Sequence, residues 1–394
     1  MTSQNIAIIS KRFWPLGGET EFVAANLAVT LAEKEATTVQ VLSSRLFAQW
    51  PASFRFRNCQ VHRLDSKSSP FPIRRTFEKS CLRFVREHRS SLTGLILTQY
   101  GWPDARFVQQ VNSLGIKSVI RMGHEIIRIN QQEPNQKSPL QLRSAVTSET
   151  NCRLVGSDDQ VVEFLSGHSI SSQCVPDGIP DSKPAGSGDR LATGDSMSPA
   201  NLLEAKQIAR QGLTRSHPLL RIRPRQKLAV ILGPLESGRQ IEFWLNCWAR
   251  LPSDFRDSML WIIGEGQYIH QLWEMIIDLD IEHQVVLGGV FDELGDIFSS
   301  ADTLLLSDPS QAFSPLTLQA HSHGLPVLAV DSNDCSSQHV SCVPDSMDNA
   351  IEQLVRVFKG QTDLSGPVKS ARHQVAEFNN MGACAQKYLD LIAN

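Results

Sequence analysis

The sequence predicts an α/β protein made of two doubly wound parallel-sheet domains of the Rossmann-like kind. Residues 260–331 alternate short apolar runs with glycine-containing turns and helical segments, which is the pattern of a parallel sheet covered by helices. The same alternation begins at the first apolar run, residues 5–10, and a Ser-, Gly- and Pro-rich stretch at 182–188 separates the halves. Ligands of such sheets bind at the carboxyl ends of the strands. We therefore expect the two domains to face a cleft.

The organisation of the chain follows from this pattern. We divide it into a first domain at residues 1–181, a linker and leading helix at 182–226, a second domain at 227–360 and a C-terminal tail at 361–394. Ser198 before Pro199 predicts the start of the leading helix, because serine caps helices and proline suits their first turn. We expect this helix to end near Gln211, because Gly212 follows.

Composition restricts the class of function. The chain has 394 residues, of which 41% are hydrophobic and 20% charged, as in globular proteins that bury a large core. A net charge of −3 argues against a dedicated nucleic-acid binder, so we expect small-molecule partners. The basic run at 221–225 stands directly before an apolar strand at 227–232. A solvated approach to that strand is favoured over a phosphate site.

Cysteine usage and the first residues indicate the compartment. The eight cysteines are scattered without a Cys-x-x-Cys pair, which is typical of reduced proteins that use cysteine as a small hydrophobic residue. No basic and apolar leader precedes the first strand, and no apolar run approaches the ~20 residues that a membrane span needs. We expect a cytoplasmic protein without disulfides.

Two loops of the second half have the features of a phosphate site. Gly264 and Gly266 form a double-glycine turn after the apolar run 260–263, and such turns bring backbone amides close to a phosphate-bearing ligand. A helix is predicted from Pro315 to His323. Its first turn should present backbone amides to an anion.

Three short motifs surround this second helix: residues 311–314 (Gln-Ala-Phe-Ser), 319–320 (Gln-Ala) and 324–327 (Gly-Leu-Pro-Val). Together they resemble the donor site of the family 4 (group 1) glycosyltransferases, which has Glu-Gly-Phe-Gly, Glu-Ala and Gly-x-Pro-Val at the same spacing. These are retaining enzymes of the GT-B fold that transfer a sugar from a nucleotide sugar.

The resemblance extends into the first half. Gly17 and Gly18, followed by Glu19 and Glu21, are similar to the family's Gly-Gly-x-Glu loop. One additional residue leaves open whether Glu19 or Glu21 takes the family's glutamate position. Residues 121–125 (Arg-Met-Gly-His-Glu) are similar to its acceptor-side segment, with methionine where many members have a basic residue.

Several positions depart from the family pattern. Gln311 and Gln319 replace both family glutamates, Ser314 replaces a glycine, and Pro234 replaces an arginine. Arg239 takes the position of the family's lysine. Removing one preorganised charge-stabilising group costs on the order of 10²–10³ in rate, so weakened chemistry is expected.

The resemblance implies a role for each matched residue. The catalytic residues would be Arg239, Gln311 and His124. For His124, an imidazole with no more than a structural role in its loop is the alternative. The donor-binding residues would be Gly17, Gly18, Gly264, Phe313, Ser314, Pro315, Leu316 and Gln319. The acceptor-binding residues would be Glu21, Arg121 and Glu125.

The resemblance also implies the ligands. The donor is a nucleotide sugar, bound as substrate, with no cofactor and no metal. The acceptor is a glycan or lipid-linked glycan, which is compatible with peripheral membrane contact but needs neither nucleic acid nor a transmembrane segment. The tail would be helical over about 368–391 and return to the first domain. Two alternatives remain: a catalytically weak or inactive homologue that binds a nucleotide, a sugar or a partner protein, and another GT-B activity such as sugar-nucleotide epimerisation.

Overall fold

The chain divides into two compact units. In the computed structural model the described residues are 3–15, 18–47, 49–65, 73–98, 104–132, 138–146, 150–180, 199–236, 240–291, 293–308, 314–330, 341–343, 346–362 and 365–393. The first unit comprises Met1–Phe13, Thr20–Pro180 and Asn379–Asn394. The second comprises Trp14–Glu19 and Asp181–Phe378.

The first unit is an eight-stranded sheet with helices between its strands. Its strands are β1 (Gln4–Ile9), β2 (Thr37–Arg45), β3 (Ser53–Phe56), β4 (Cys59–Asp65), β5 (Gly94–Thr98), β6 (Ser118–Met122), β7 (Cys152–Gly156) and β8 (Gln173–Cys174). Its helices up to residue 180 are α1 (Glu19–Ala32), α2 (Ile73–Glu87), α3 (Ala105–Ser113), α4 (Glu125–Gln132), α5 (Ser138–Ala145) and α6 (Asp159–Gly167).

The second unit is a six-stranded sheet. Its strands are β9 (Leu228–Leu232), β10 (Met259–Ile263), β11 (Val285–Gly289), β12 (Thr303–Leu306), β13 (Val327–Val330) and β14 (Ser341–Val343). Its helices are α7 (Pro199–Ser216), α8 (Ile241–Ala249), α9 (Ile269–Asp278), α10 (Gly295–Ser300), α11 (Pro315–Ser322), α12 (Met347–Phe358) and α13 (Ser365–Glu377), and α14 (Met381–Ala393) belongs to the first unit.

Strand order shows that both sheets are doubly wound. The first sheet runs β3-β4-β2-β1-β5-β6-β7-β8, with every pairing parallel except β3 with β4. The second runs β11-β10-β9-β12-β13-β14. The direction of winding reverses between β1 and β5 in the first sheet and between β9 and β12 in the second. These are the topological switch points at which doubly wound sheets bind ligands. The prediction of two doubly wound parallel sheets is confirmed.

The central strands explain why the sequence forms this architecture. All residues of β5, β6 and β9 are buried, because helices cover both faces of each sheet, and such strands read as continuous apolar runs. Each helix packs against its sheet through apolar residues on one face. In α12, Ala350, Leu354 and Phe358 lie one helical turn apart and are buried.

One predicted helix boundary is wrong, and the tail contains an additional break. The leading helix α7 does not stop at Gly212 but continues to Ser216. A glycine inside a helix costs only about 1 kcal/mol, and burial of Leu213 in the next position offsets that cost. The tail, predicted to be helical over about 368–391, forms two helices that are separated between Glu377 and Met381. There Asn379 Nδ2 donates to the Asp177 carbonyl oxygen over 2.7 Å, so this segment is extended for pairing.

Candidate functional site

The switch point of the second unit lies between the loops that carry the donor motif. β9 and β12 are neighbours, and their carboxyl ends are Leu232 and Leu306. The loop after β9 contains Pro234, and the loop after β12 leads to α11. The Gln240 amide donates to the Ser307 carbonyl oxygen over 2.7 Å, which ties the two loops together. Both motif loops therefore reach one edge of one sheet.

The double-glycine turn after β10 packs directly against the loop after β9. A Cβ atom at Gly264 would overlap the Gly233 carbonyl oxygen, and one at Gly266 would overlap the Leu235 carbonyl oxygen. Gly264 also has a φ of 159° and donates its amide to the Gly289 carbonyl oxygen over 2.6 Å. Close backbone approach thus accounts for the glycine. Contact of Gly264 with a donor stays a prediction.

Pro234 is buried within this packed loop. It contributes neither a side-chain charge nor a backbone N–H group. Its neighbour Leu235 donates its amide to the Glu265 carbonyl oxygen over 3.0 Å and accepts from the Tyr268 amide over 3.1 Å. The loop is thus held by backbone hydrogen bonds at the position where the resemblance implied an arginine.

The backbone amides in the first turn of α11 are hydrogen-bonded to Ser314. Ser314 is the N-cap, and its hydroxyl accepts from the Leu316 amide over 3.2 Å. The Thr317 amide donates to the Ser314 carbonyl oxygen over 3.0 Å, and Pro315 has no amide hydrogen. In this structure the Leu316 amide is therefore hydrogen-bonded to the Ser314 hydroxyl. Donor binding at Ser314, Pro315 and Leu316 stays a prediction.

Two further polar residues of α11 are buried. Gln319 is 1% exposed and His321 3%. His323, at the end of the helix, has Ser299 Oγ 3.1 Å from its Nδ1. Burial and the nearby Arg372 cation lower the pKa of His323 to about 4, so this imidazole is neutral at pH 7. Gln319 remains a candidate donor contact by its position one turn after Pro315.

The first unit positions its candidate residues after β1 and β6. Gly18 belongs to the segment Trp14–Glu19, which clusters with the second unit, and it is buried ahead of α1. Glu21, in the first turn of α1, is also buried, and its Oε1 lies 2.5 Å from Arg12 Nε. The glutamate therefore pairs with a cation of the preceding loop. Its predicted role in acceptor binding stays a prediction.

Arg121 and Glu125 belong to a buried ion network. Arg121 is 0% exposed, and its guanidinium binds both carboxylate oxygens of Asp177, with Nε donating to Oδ1 over 2.7 Å. Its Nη1 lies 3.7 Å from Glu125 Oε1, one helical turn along the chain. Bidentate geometry makes such a pair strong and directional. The described contacts of Arg121 are internal, and its predicted contact with an acceptor stays a prediction.

His124 lies beside a carboxylate at the same edge of the first sheet. Its Nε2 is 3.6 Å from Asp158 Oδ2, and the Ser157 hydroxyl donates to that oxygen over 3.1 Å. Asp158 Oδ1 also caps α6 by accepting from the Val161 amide over 2.9 Å. An imidazole beside a carboxylate can bind a hydroxyl or move a proton. This pair is the candidate acid–base group of the first unit.

Sequence reasoning missed three of these features. Asp158 follows a buried strand and begins a helix, so its place at the same sheet edge as His124 could have been inferred. Ser314 before Pro315 is the same capping signal that was used for Ser198 and Pro199. Asp177 gives no local signal, because it lies 56 residues from Arg121.

Four candidate residues lie outside the described residues: Gly17, Arg239, Gln311 and Phe313. Their predicted roles stay predictions.

Some further properties concern the described part of the chain as a whole. There, no group of three or more His, Cys, Asp or Glu side chains is arranged to hold a metal ion. No helix in the described ranges is long and apolar enough to cross a bilayer. Six cysteines are described as free thiols, and burial raises the pKa of Cys59 and of Cys247 to about 12.

Comparison with solved structures identifies the fold. Sucrose-phosphate synthase from Thermosynechococcus elongatus matches with a TM-score of 0.66 at 15% identity and covers 99% of both chains. WaaG, a glycosyltransferase involved in lipopolysaccharide biosynthesis, has a TM-score of 0.67 at 14% identity, covering 99% of this chain and 100% of its own. Anabaena HepE in complex with UDP-glucose has a TM-score of 0.61 at 12% identity, with 99% of both chains covered.

The chain therefore has the GT-B fold. At these identities the likeness establishes the fold alone. No protein-family model matches the sequence. No curated protein sequence matches it either.

Proposed function

We propose that the protein is a glycosyltransferase that takes its sugar from a nucleotide-sugar donor. The observation that carries the proposal is the meeting of both donor-motif loops at the switch point between β9 and β12. Doubly wound sheets bind nucleotides at this place. A neighbour in fold that was solved with UDP-glucose, HepE, supports the choice of ligand.

The proposed chemistry is a retaining transfer without a metal ion. The departing nucleoside diphosphate gathers negative charge on its β-phosphate, which cations and helix N-termini stabilise. Arg239 would supply the cation. Gln311 would face the sugar, and Gln319 would hydrogen bond to the ribose hydroxyls, accepting one bond and donating another.

The acceptor would bind to the first unit. The pair His124 and Asp158 would orient an acceptor hydroxyl and receive its proton, because the two groups lie 3.6 Å apart at the strand edge. Glu21, Arg121 and Glu125 would shape this region. The proposed acceptor is a glycan or a lipid-linked glycan.

A second candidate function is a catalytically weak homologue that keeps binding but has lost most turnover. The capping of α11 by Ser314 favours it, because the hydroxyl takes the Leu316 amide that a phosphate would use. Pro234 favours it as well, since a buried proline replaces the implied arginine.

Two measurements on the purified protein separate these functions. Calorimetry measures the affinity for UDP-, GDP- and ADP-sugars. The same measurement with the corresponding free nucleosides shows how much of that affinity the phosphates contribute. Release of sugar or nucleoside diphosphate measures turnover. Binding with turnover supports the transferase, and binding without turnover supports the weak homologue. Interconversion of two nucleotide sugars without release would indicate an epimerase.

A matched set of variants tests the donor site itself. Gln319→Glu should tighten nucleotide binding about fivefold to tenfold, because a charged acceptor contributes roughly 1 kcal/mol more than a neutral one. Gln311→Glu should raise turnover, and adding Pro234→Arg to both should raise it further. If the triple variant neither binds a nucleotide sugar better nor consumes one, this loop is not a donor site.

A further inference from the structure

We propose that two copies of the chain associate through the outer edge of the second unit, which is formed by strand β11 and helix α9. Within the described ranges, β11 is the last strand of its sheet on this side. In the pairing, β11 of one copy lies antiparallel to β11 of the other and extends its sheet. A two-fold axis perpendicular to the joined sheet places both α9 helices on the same face, and every contact is made twice.

The edge of β11 has the composition of a strand that another element covers. Its five residues, Val285–Gly289, include no charge and no proline. Edge strands that stay single usually carry charges or prolines. Four of the five residues are partly exposed, whereas four of the five residues of the neighbouring strand β10 are buried. The outer side of β11 is therefore suited to pairing with another strand.

The turn Pro218–Leu220 lies close to β11 but on a face of the sheet. A Cβ atom at Gly288 would meet side-chain atoms of both Leu220 and Ile263. Cβ atoms point out of the plane of a sheet, and Ile263 belongs to the neighbouring strand β10. The turn therefore packs above the end of the sheet and leaves its edge accessible.

Hydrogen bonds to β10 determine which backbone groups of β11 point outwards. The Leu260 amide donates to the Gln284 carbonyl oxygen over 2.8 Å, so residues 284 and 286 direct their polar groups to β10. Backbone groups alternate in direction along a strand, and Leu287 therefore directs its own to the open edge. An antiparallel pair centred on Leu287 forms two hydrogen bonds, one from the Leu287 amide of each copy to the Leu287 carbonyl oxygen of the other.

Helix α9 presents an apolar flank on the same side. Trp273 and Ile277, one helical turn apart, are 44% and 52% exposed. The opposite flank faces α8, because the Tyr268 hydroxyl donates to Glu242 of that helix. Helical rotation places Trp273 about 140° from Tyr268. Since α8 lies between α12 and α9, the flank with Trp273 and Ile277 is the outer side of this helix layer, on the side of β11.

The strand centre and the helix flank lie at similar heights, so one axis serves both. The turn at 279–284 joins α9 to β11. The position midway between Trp273 and Ile277 lies three residues before the end of α9, or about 5 Å along the helix. Leu287 lies two residues after the start of β11, or about 7 Å along the strand. An axis through Leu287 therefore sets Trp273 of one copy against Ile277 of the other.

The polar residues beside this apolar contact are complementary under the same axis, which favours a second copy over a different protein. An axis midway between residues 273 and 277 also sets His270 opposite Asp280 of the other copy. Both side chains are exposed, and helical rotation places both on the flank of Trp273. Imidazole and carboxylate can hydrogen bond, and such pairs at the rim of an interface determine its register.

Analytical ultracentrifugation of the full chain tests the proposal. The unchanged chain should be monomeric when dilute and dimeric when concentrated. Trp273→Ala should weaken dimerisation about thirtyfold, because tryptophans at the centre of an interface typically contribute much of its affinity. Phe378→Ala is the matched control, since it removes an aromatic side chain that is 60% exposed elsewhere in the second unit. It should leave dimerisation unchanged.

A second pair of variants tests the register. His270→Lys should tighten dimerisation about fivefold, because lysine is fully charged at pH 7 and the axis forms two exposed ion pairs with Asp280. Asp280→Asn should remove that gain. Asparagine suits this position because residue 280 has a φ of 56°. A gain that persists in the Asp280→Asn background would contradict the proposed pairing.

Hydrogen exchange followed by mass spectrometry tests the strand pairing without a substitution. Peptides from α9 and β11 should exchange more slowly above the dissociation constant than below it, because pairing protects their amides. Dimerisation that protects other segments but not β11 would overturn the proposal, as would equal losses for Trp273→Ala and Phe378→Ala. A chain that stays monomeric at every concentration would also overturn it and assign this edge to a different protein. None of these readouts depends on transfer of a sugar.

Discussion

The two units hold the loops at their strand ends by opposite means. In the first unit, Arg121, Asp177 and Glu125 form a buried network of charges behind the loop that carries His124. In the second unit, the loops after β9 and β10 are held by glycine carbonyls and amides in direct contact. The strand-end loop of the first unit thus depends on paired charges, and those of the second unit depend on close approach of backbone atoms.

This difference determines how well the loops of each unit tolerate the replacement of a side chain. Buried charges must keep their partners, because an unpaired buried charge costs several kcal/mol, so a single replacement in the first unit has a large penalty. A backbone-held loop tolerates changes of side chain. The loop that contains Pro234 is held in this way, so its side chains can change while the fold of the second unit is retained.

The largest effect should come from breaking the charged network. Arg121→Ala leaves Asp177 and Glu125 buried without their cation, which should lower the free energy of unfolding by about 3–5 kcal/mol. Urea denaturation followed by circular dichroism measures it. Arg153→Ala, an exposed arginine on β7, is the control and should change stability little. A loss below about 1 kcal/mol for Arg121→Ala would contradict the importance of the network.

The matching test in the second unit concerns Gly264. Gly264→Ala places a methyl group on the Gly233 carbonyl oxygen at a φ that disfavours side chains, which should cost about 2–4 kcal/mol. Gly289→Ala is the control. Its φ of 74° is also unfavourable, but nothing lies within 4 Å of the added atom, so about 1 kcal/mol is expected. Equal losses in urea denaturation would show that backbone conformation rather than contact requires the glycine.

The sequence was sufficient to predict the sheet architecture, because its signals are local. Continuous apolar runs such as 228–232 and 260–263, each followed by a glycine turn, identify buried parallel strands. The helix boundary at Gly212 was predicted wrongly, and the break near residue 378 was not predicted. In each case a tertiary contact, the burial of Leu213 or the bond of Asn379 to Asp177, outweighed local propensity.

The candidate site was less predictable than the fold. A motif can locate Arg121 or Ser314, but it cannot show that the first is paired with Asp177 or that the second caps its own helix. The ion pair depends on a residue far along the chain. The cap was a local signal, and its consequence for phosphate binding required the geometry of the Leu316 amide.

The second unit also contains His323, a partly buried histidine that is kept neutral. Its folded pKa of about 4 lies below the value near 6.5 of an unfolded histidine. The stability it contributes is therefore complete above pH 6.5 and is lost as pH falls towards 4. At pH 5 the loss should be about 2 kcal/mol.

The measurement is the difference in unfolding free energy between pH 7.5 and pH 5. His323→Gln should reduce that difference by the same amount, because glutamine does not titrate. His373→Gln, an exposed histidine on α13, should leave the difference unchanged. If His323→Gln does so as well, His323 is not the group responsible.

The smallest effect should come from the helix cap, and it tests whether the first turn of α11 can bind a phosphate. Ser314→Gly removes the hydroxyl that accepts from the Leu316 amide. Replacing a capping serine by glycine costs only a few tenths of a kcal/mol, and the freed amide can donate to a phosphate oxygen. Affinity for UDP should then rise about fivefold, or about 1 kcal/mol, whereas affinity for uridine should not change.

Ser314→Ala separates the two features of the serine. Alanine also frees the Leu316 amide but keeps the Cβ atom that the family's glycine lacks. Equal tightening of UDP binding by both variants would assign the effect to the hydroxyl, and tightening by glycine alone would assign it to the Cβ atom. If calorimetry shows no gain for either variant, the first turn of α11 does not bind phosphate. The Leu316 amide would then serve only to bond the Ser314 hydroxyl. The second unit would be a nucleotide-binding fold that is used without a phosphate contact at this helix.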